Sequence, residues 1–413
     1  MNLSKYRQDF PITKRFVFLD HANMSPSPVQ VVRAVSKLMR EKAGFAYMKF
    51  EVWGAQVEQA RQNVAKMLGA RKEGVWFANN TSDGINIVAN GVAWRKGDNV
   101  VMPDIEFPSV VYPFLKRRGM VDLRYAKTDY SREGVQVPIS EFERLVDDRT
   151  KVVCLSAVDY GFGCRYDLRA VSEIAHRHGA IALVDASQAA GAVQMHIDAD
   201  GVDAVAFGGQ KWTFAPSAGG VFYMNPSTFD IFTPPFVGWY SVADPMNQIL
   251  TNYTEHFEIA ADARRFATGH PNFPGIVGLA ASSQYLRDVG FSRVEARCLE
   301  VSGYLMRRLA EEGFTILTPR ENGRRASIVS FVIPDGKAVI EGLKKKRIIV
   351  SGYLQTRQRG IRVSPAFYNT NLEVDRLVEN LPKVSRQKSN RRKASLLSRT
   401  SSPAASARRS SSP

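Results

Sequence analysis

"DAVAFGGQKWTFAPSAGGVFYMN" (Asp203–Asn225) is the stretch on which the reading of the fold turns. Its two ends, "DAVAFGG" and "GGVFYMN", are apolar runs of strand length with no polar alternation, the pattern of strands covered on both faces. Between them stands Lys211, with Gly208 and Gly209 before it and Gly219 and Gly220 after it. A lysine needed only for solubility does not require neighbours that small. One whose amine turns inward, in a loop that must pass close to a bound molecule, does.

Outward from this stretch the pattern repeats. From Val75 the chain reads "GVWFANN", "GINIVANGVAW", "DNVVMPD", "PSVVYPFLKRRG", "KVVCLSAV", "DLRAVSEIAHRHG" and "AIALVDA", short β-rich runs alternating with amphipathic helical ones. That alternation predicts an α/β fold with a mostly parallel sheet between helices, and a binding crevice at the carboxyl ends of its strands. From about Ser282 to Lys383, helical stretches give way to "SIVSFVIP", "RIIVSG", "GIRVSP" and a last helix "NLEVDRLVENL", the outline of a smaller α+β domain. The expected division is an N-terminal arm over 1–20 packing with the small domain, a large domain over 21–281, a small domain over 282–383 and a tail over 384–413.

Composition narrows the function classes. A chain of 413 residues with 44% hydrophobic residues has ample core for two domains. Its three cysteines, Cys154, Cys164 and Cys298, have no CxxC or Cys/His spacing, which points away from zinc and disulfide frameworks and toward a reducing cytoplasm. The N-terminus lacks the apolar centre of a signal peptide, and no apolar run approaches the roughly 20 residues of a membrane span. The net charge of +16 suggests nucleic acid until it is located: eight of the basic residues lie in the tail, which has ten serines and no acid. Such a segment cannot bury enough apolar surface to order itself. It reads as a solubilising extension, with a loose arm for an anionic partner as the alternative.

Four strand exits carry polar, aromatic or charged residues: Asn80-Thr81-Ser82 after "VWFA", Phe107 after "NVVMPDIE", Asp185 after "AIALV" and Lys211 after "AVAFGGQ". One explanation covers all four, a planar phosphorylated cofactor bound covalently through the lysine, namely pyridoxal 5'-phosphate. A lysine amine forms a Schiff base with its aldehyde, and a carboxylate keeps the ring nitrogen protonated so that the ring accepts electrons from the substrate carbon. The amides at the start of the "TSDGIN" helix offer a phosphate its donors.

The stretch "LVDASQAAGAVQMHIDADGVDAVAFGGQKWTFAPSAGGVFY" resembles the core of the class V aminotransferase family of fold type I pyridoxal-phosphate enzymes. The likeness extends, in family order, from "VFLDHANMSPSP" through "TSDGINIVANG", "EFPSVVYP" and "FATGHPNFPGIVGL" to "IRVSPAFYNTNLEVDRLVENL". The resemblance implies a large domain with a seven-stranded sheet and a small C-terminal domain. It makes Lys211 the Schiff-base lysine and the acid/base at the substrate α-carbon, Asp185 the partner of the pyridine nitrogen, and Gln188 that of the ring hydroxyl. It places Phe107 on the ring face, Thr81 and Ser82 on the phosphate, and Arg362 on the substrate carboxylate, a task suited to its bidentate fork. It also implies a homodimer in which the "GHPN" segment reaches the partner's phosphate. There His270 stands where relatives carry threonine; Gln210, also a cofactor contact, replaces their histidine, and Gly208 the phosphate-binding serine of desulfurases. Tyr6, His21, Asn23 and Trp239 are further pocket candidates to which no role is assigned.

The reaction is less determined than the cofactor. A cysteine desulfurase needs a mobile nucleophilic cysteine near the carboxylate arginine, and "VSGYLQTRQRGIRVS" has none. The expectation is therefore an aminotransferase or related C–S or C–C lyase acting on a small-molecule α-amino acid or similar amine. The alternatives are an isopenicillin N epimerase-like racemase and a non-catalytic binding or regulatory protein whose basic tail meets nucleic acid.

Overall fold

The computed structural model describes residues 4–131, 133–245, 257–352 and 360–383. The tail expected at 384–413 lies outside the described residues. At the centre is a seven-stranded sheet made of β1 (Val75–Ala78), β2 (Asn99–Pro103), β3 (Asp122–Ala126), β4 (Thr150–Ser156), β5 (Ile181–Asp185), β6 (Ala204–Phe207) and β7 (Gly220–Met224). The spatial order is β1-β7-β6-β5-β4-β2-β3. All neighbours are parallel except β7, which runs against both β6 and β1.

Strand residues alternate between two cores. Val153, Leu155 and Val184 join the cluster that takes in Val171, Ile174 and Ala175 of α5 (Leu168–Arg177). Val152, Cys154 and Leu183 join the one holding Ile85 and Val88 of α3 (Thr81–Gly91) and Val110 and Phe114 of α4 (Pro108–Leu115). Both faces are thus covered, which is why β2, β5, β6 and β7 are buried from end to end. Two long helices missed as separate elements in the sequence, α1 (Val29–Phe45) and α2 (Phe50–Leu68), precede the sheet and pack on α6 (Phe273–Val289).

The expected boundary after residue 281 falls inside α6. The helical run beyond it breaks at Gly290, whose φ of 97° suits glycine, and α7 (Phe291–Glu311) begins there. A four-stranded antiparallel sheet follows, of β8 (Thr315–Ile316), β9 (Val329–Val332), β10 (Ser351–Gly352) and β11 (Gly360–Val363), in the order β8-β9-β11-β10. The last helix among the described residues is α8 (Asn371–Glu379), opened by a capping box of Thr370 and Glu373.

The N-terminal arm is bound to these last elements. Val17–Phe18 pairs in parallel with Ile348–Ile349, and Asp20 bridges to Ser364. The Arg7 guanidinium donates two hydrogen bonds of 2.9 Å to the two carboxylate oxygens of Glu373, and Phe10 stacks on Tyr368 at 3.9 Å.

Candidate active site

Chain order moves from β2 outward to β3, then returns to β4 and proceeds to β5 and β6 on the other side. The direction reverses between β2 and β4, and the loops leaving those two strands open a crevice there. Phe107 leaves one side of it and Asp159-Tyr160 the other, their neighbouring exits being Asp185 and Lys211.

Lys211 lies four residues beyond β6 and is half-buried, its Nζ 5.5 Å from the centre of the Phe107 ring. Burial lowers its pKa, against the raising effect of the Asp185 charge. Asp185, the last residue of β5, is 4% exposed; its Oδ1 accepts from the Ser187 amide at 2.8 Å. Burial raises the Asp185 pKa and the lysine opposes that rise. The loop after the lysine is tightly drawn. A Cβ on Gly209 would meet the Gly219 carbonyl oxygen at 2.5 Å, and Phe214 is held at a φ of 61°, a conformation that costs a non-glycine residue about 1–3 kcal/mol.

Phe107 caps α4, is 37% exposed and meets the Tyr160 ring edge-on at 5.0 Å. Arg362 sits in β11, buried; its Nε donates to Ser351 Oγ at 3.1 Å and its Nη1 to the Tyr160 carbonyl at 2.8 Å, with Asp20 Oδ1 3.6 Å from Nη2. The main chain of Tyr160 therefore ties the small-domain arginine to the crevice where Phe107 lies.

Thr81 and Ser82 open α3, whose cap Asn80 accepts from the Asp83 amide at 3.0 Å. Their hydroxyls are shared with neighbours, Thr81 with Ser187 at 2.8 Å and Ser82 with Ser109 at 2.9 Å, so the helix start is fastened to the loop after β5 and the first turn of α4. Gln188 is buried and engaged on both sides of its amide: its oxygen accepts from Trp212 Nε1 at 2.7 Å and its nitrogen donates to the Ala22 carbonyl at 2.9 Å. One N–H remains for a ring hydroxyl. The Gln210 amide oxygen lies 2.5 Å from where a Cβ on Gly208 would stand, so a side chain at position 208 would displace the glutamine amide.

His270 is not brought to this group. It is exposed, beside Trp239 (4.8 Å), Phe50 (5.4 Å) and Tyr240 (5.8 Å). His21 and Tyr6 face inward to the packing of the arm: His21 hydrogen-bonds Ser364 and Tyr368, and Tyr6 packs on Tyr285 and Phe367. A cavity of about 780 Å³ between Phe142, Tyr166, Val171, Met195 and Arg324 includes none of the crevice residues and is assigned no ligand.

The sequence profile of the family Aminotransferase class-V matches residues 17–377. The chain belongs to the class-V aminotransferase family. It is 29% identical to a probable cysteine desulfurase of Methanothermobacter thermautotrophicus, over 93% of this chain and 98% of that protein. It is also 26% identical to an uncharacterised aminotransferase of Bacillus subtilis, over 91% of this chain and 96% of that one. The apo structure of a cysteine desulfurase from Thermococcus onnurineus superposes with a TM-score of 0.81 at 26% identity, covering 92% of this chain and 97% of that one.

This class-V chain is an enzyme, with pyridoxal phosphate as its cofactor. Its residues fit that group. A buried carboxylate and an amine that burial drives toward its neutral form face one crevice, with an aromatic ring beside the amine. Asp185 would hold the ring nitrogen, Lys211 the aldehyde carbon and Phe107 the ring face.

Four residues of this crevice escaped the sequence reading: Asp20, Glu106, Asp159 and Tyr160. Glu106 precedes Phe107 in "EFPS" and Asp20 precedes His21 in "LDHA", so adjacency to an assigned motif residue was the available signal. Asp159 and Tyr160 follow β4 in the way that Asp185 ends β5, and the strand-exit rule would have reached them.

Proposed function

We propose that the chain acts on a free α-amino acid or a similar small amine, by transamination or by a related C–S or C–C lyase step. The observation that carries this reading is the convergence of Lys211, Asp185, Phe107 and Arg362, from three strands of the large sheet and one of the small, on a single crevice. Bound there, pyridoxal phosphate supplies an aldehyde for the substrate amine and a ring that draws electrons from the substrate α-carbon.

The protein's own residues do the rest. Arg362, fixed by Ser351 and the Tyr160 carbonyl, receives the substrate carboxylate and so orients the α-carbon. Lys211 Nζ takes the proton from that carbon and returns it; its lowered pKa leaves more of the neutral amine needed to accept one. The place where the proton returns separates transamination from epimerisation. Asp185 would face the ring nitrogen; burial raises its pKa, and the Lys211 charge and then the Ser187 hydrogen bond oppose that rise in favour of the carboxylate.

The relatives' desulfurase names do not extend easily to this chain. Its three cysteines are all buried, and burial pushes the Cys298 thiol up to about 12 and those of Cys154 and Cys164 well above their ordinary range. A persulfide-forming nucleophile needs an accessible thiolate.

The site is further proposed to function in a homodimer in the cytoplasm. Exposed apolar side chains at Phe45, Tyr47 and Met48, and again at Phe236 and Val237, offer a face for a second copy, and His270 lies among aromatics clear of its own chain's crevice. Among the described residues no helix is long and apolar enough to cross a membrane.

The test is direct. Purified protein should show a visible cofactor band abolished by borohydride, and the reduced digest should carry the adduct on the Lys211 peptide. Screening amino acids for keto acid, ammonia or inverted stereochemistry then separates transamination, elimination and epimerisation. An adduct on another lysine, or none, removes the assignment; a colourless protein that retards DNA in a salt-sensitive way favours the binding-protein alternative.

A further inference from the structure

Glu106 is a crevice group that the mechanism above does not use. Its Oε1 accepts from the Ser156 amide at 2.7 Å and its Oε2 from the Ser156 hydroxyl at 2.6 Å, with the Phe107 amide at 3.3 Å from Oε2. Ser156 ends β4 and stands opposite Asp185 of β5 in the strand register. One carboxyl therefore binds the base of the Phe107 loop to the strand beside the cofactor's aspartate.

Other groups feel it from every side. Asp159 and Asp185 place negative charge near it, and Cys154, Cys164 and Tyr166 are close enough for its charge to raise their pKa values. Lys211 faces Asp185, while Asp159 accepts from the Gly161 and Phe162 amides and lies in the field of Arg362. Among the described residues no lysine or arginine is in ion-pair range of Glu106. Burial, with Asp159 and Asp185 adding to it, pushes its pKa up to about 8 against the Ser156 hydrogen bonds.

We propose that Glu106 is a positioning residue of the cofactor site: through Ser156, which lies opposite Asp185, it fixes the Phe107 ring, and it does so as the protonated carboxyl. The proposal rests on the cofactor assignment above for the identity of the ring. The proton itself is readable without the cofactor.

The sign follows from the two states. In the unfolded chain Glu106 ionises near its ordinary 4.5, and in the folded chain only near about 8. Stability from the protonated carboxyl is full below the lower value and is lost as pH rises to the upper one.

The experiment uses the full-length chain, loaded with and stripped of pyridoxal phosphate, as wild type, Glu106→Gln, Glu106→Ala and Ser156→Ala. In the stripped protein, thermal unfolding from pH of about 5 to about 8 should weaken wild type relative to Glu106→Gln by more than about tenfold in the unfolding constant. Pyridoxal phosphate titrated by fluorescence should bind Glu106→Gln within about threefold of wild type, since the amide oxygen still accepts from Ser156, and Glu106→Ala at least about tenfold more weakly. Ser156→Ala, which keeps the carboxyl, should fall between them and covers the case in which Glu106→Ala does not fold. Identical pH dependence in wild type and Glu106→Gln overturns the proton assignment. Equal loss of cofactor in Glu106→Gln and Glu106→Ala overturns the positioning role. A wild type that binds no pyridoxal phosphate sinks the cofactor reading instead, and the stripped-protein comparison still decides where the proton sits.

Discussion

His21 and Lys211 are both basic groups that burial drives toward neutrality, and they lie in regions of opposite character. His21 is fully buried: its Nδ1–H donates to the Ser364 carbonyl at 2.8 Å, its Nε2 accepts from the Tyr368 hydroxyl at 2.6 Å, and the rings of Phe18, Trp212 and Phe214 surround it. Both ring nitrogens are used inside the protein. Around Lys211 the opposite holds: the amine faces the Phe107 ring and the Asp185 charge, and among the described residues no hydrogen bond takes up its N–H groups. A perturbed pKa marks burial in both regions; hydrogen-bonding capacity left facing a crevice marks the reacting one.

The largest effects should separate the two. Lys211→Ala should lower kcat by about a thousandfold or more, as loss of the proton-transferring group does, with the melting temperature unchanged or raised because a costly buried amine is gone. His21→Ala should do the reverse, costing about 2–4 kcal/mol of stability by leaving a cavity and two unpaired polar atoms, while the folded fraction keeps kcat within about tenfold. Kinetics and denaturant melts on the same preparations read both. If His21→Ala loses more activity than stability, the distinction between a satisfied cluster and a reacting one fails.

Acidity sharpens the same contrast. The buried His21 titrates at about 4 against an ordinary 6.5. Because the folded pKa is the lower one, the unfolded state takes up protons first, and stability should fall as pH drops from 6.5 toward about 4. The loss is on the order of 3 kcal/mol. A His21→Asn variant should lose that dependence while its stability at neutral pH is lower throughout.

A smaller effect is expected at Arg362. Lysine there keeps the charge and loses the fork that Ser351 and the Tyr160 carbonyl hold in place. Arg362→Lys should raise KM for an amino-acid substrate about tenfold and leave KM for an amine without a carboxylate unchanged. Equal losses on both substrates would place the arginine in the scaffold with His21.

The sequence made one half of this comparison legible. Lys211, Asp185, Phe107 and Thr81 sit at strand exits, and buried strands declare their ends because apolar runs stop abruptly at polar or glycine residues. The helix break at Gly290 was hidden within a continuous amphipathic pattern, since one glycine does not disturb the period. Asp20 and Glu106 were not legible as site residues for a different reason. Asp20 gains its meaning only when the arm pairs beside β11, and Glu106 only when Ser156 arrives from the next strand but one in sequence. Contacts made by register between distant segments leave no local signature. The same holds for His21, whose partners Ser364 and Tyr368 come from the far end of the chain.

The smallest expected change tests whether a thiol belongs to the reacting region at all. Cys154 lies on β4, Cys298 on α7 and Cys164 in the loop that bridges to Arg325, each buried. In the native protein none should react with an alkylating reagent on the timescale of turnover, and all three should react after unfolding. Cys298→Ala, at a helix face packed on the small sheet's approach, should cost about 1 kcal/mol from the lost packing and leave kcat within about twofold. Cysteine supplied as substrate should likewise leave no extra sulfur on the intact protein by mass spectrometry. A thiol that alkylates rapidly in the folded state, or a substitution at one of the three that abolishes turnover with cysteine while sparing other amino acids, would move that cysteine from the scaffold to the crevice and restore persulfide chemistry.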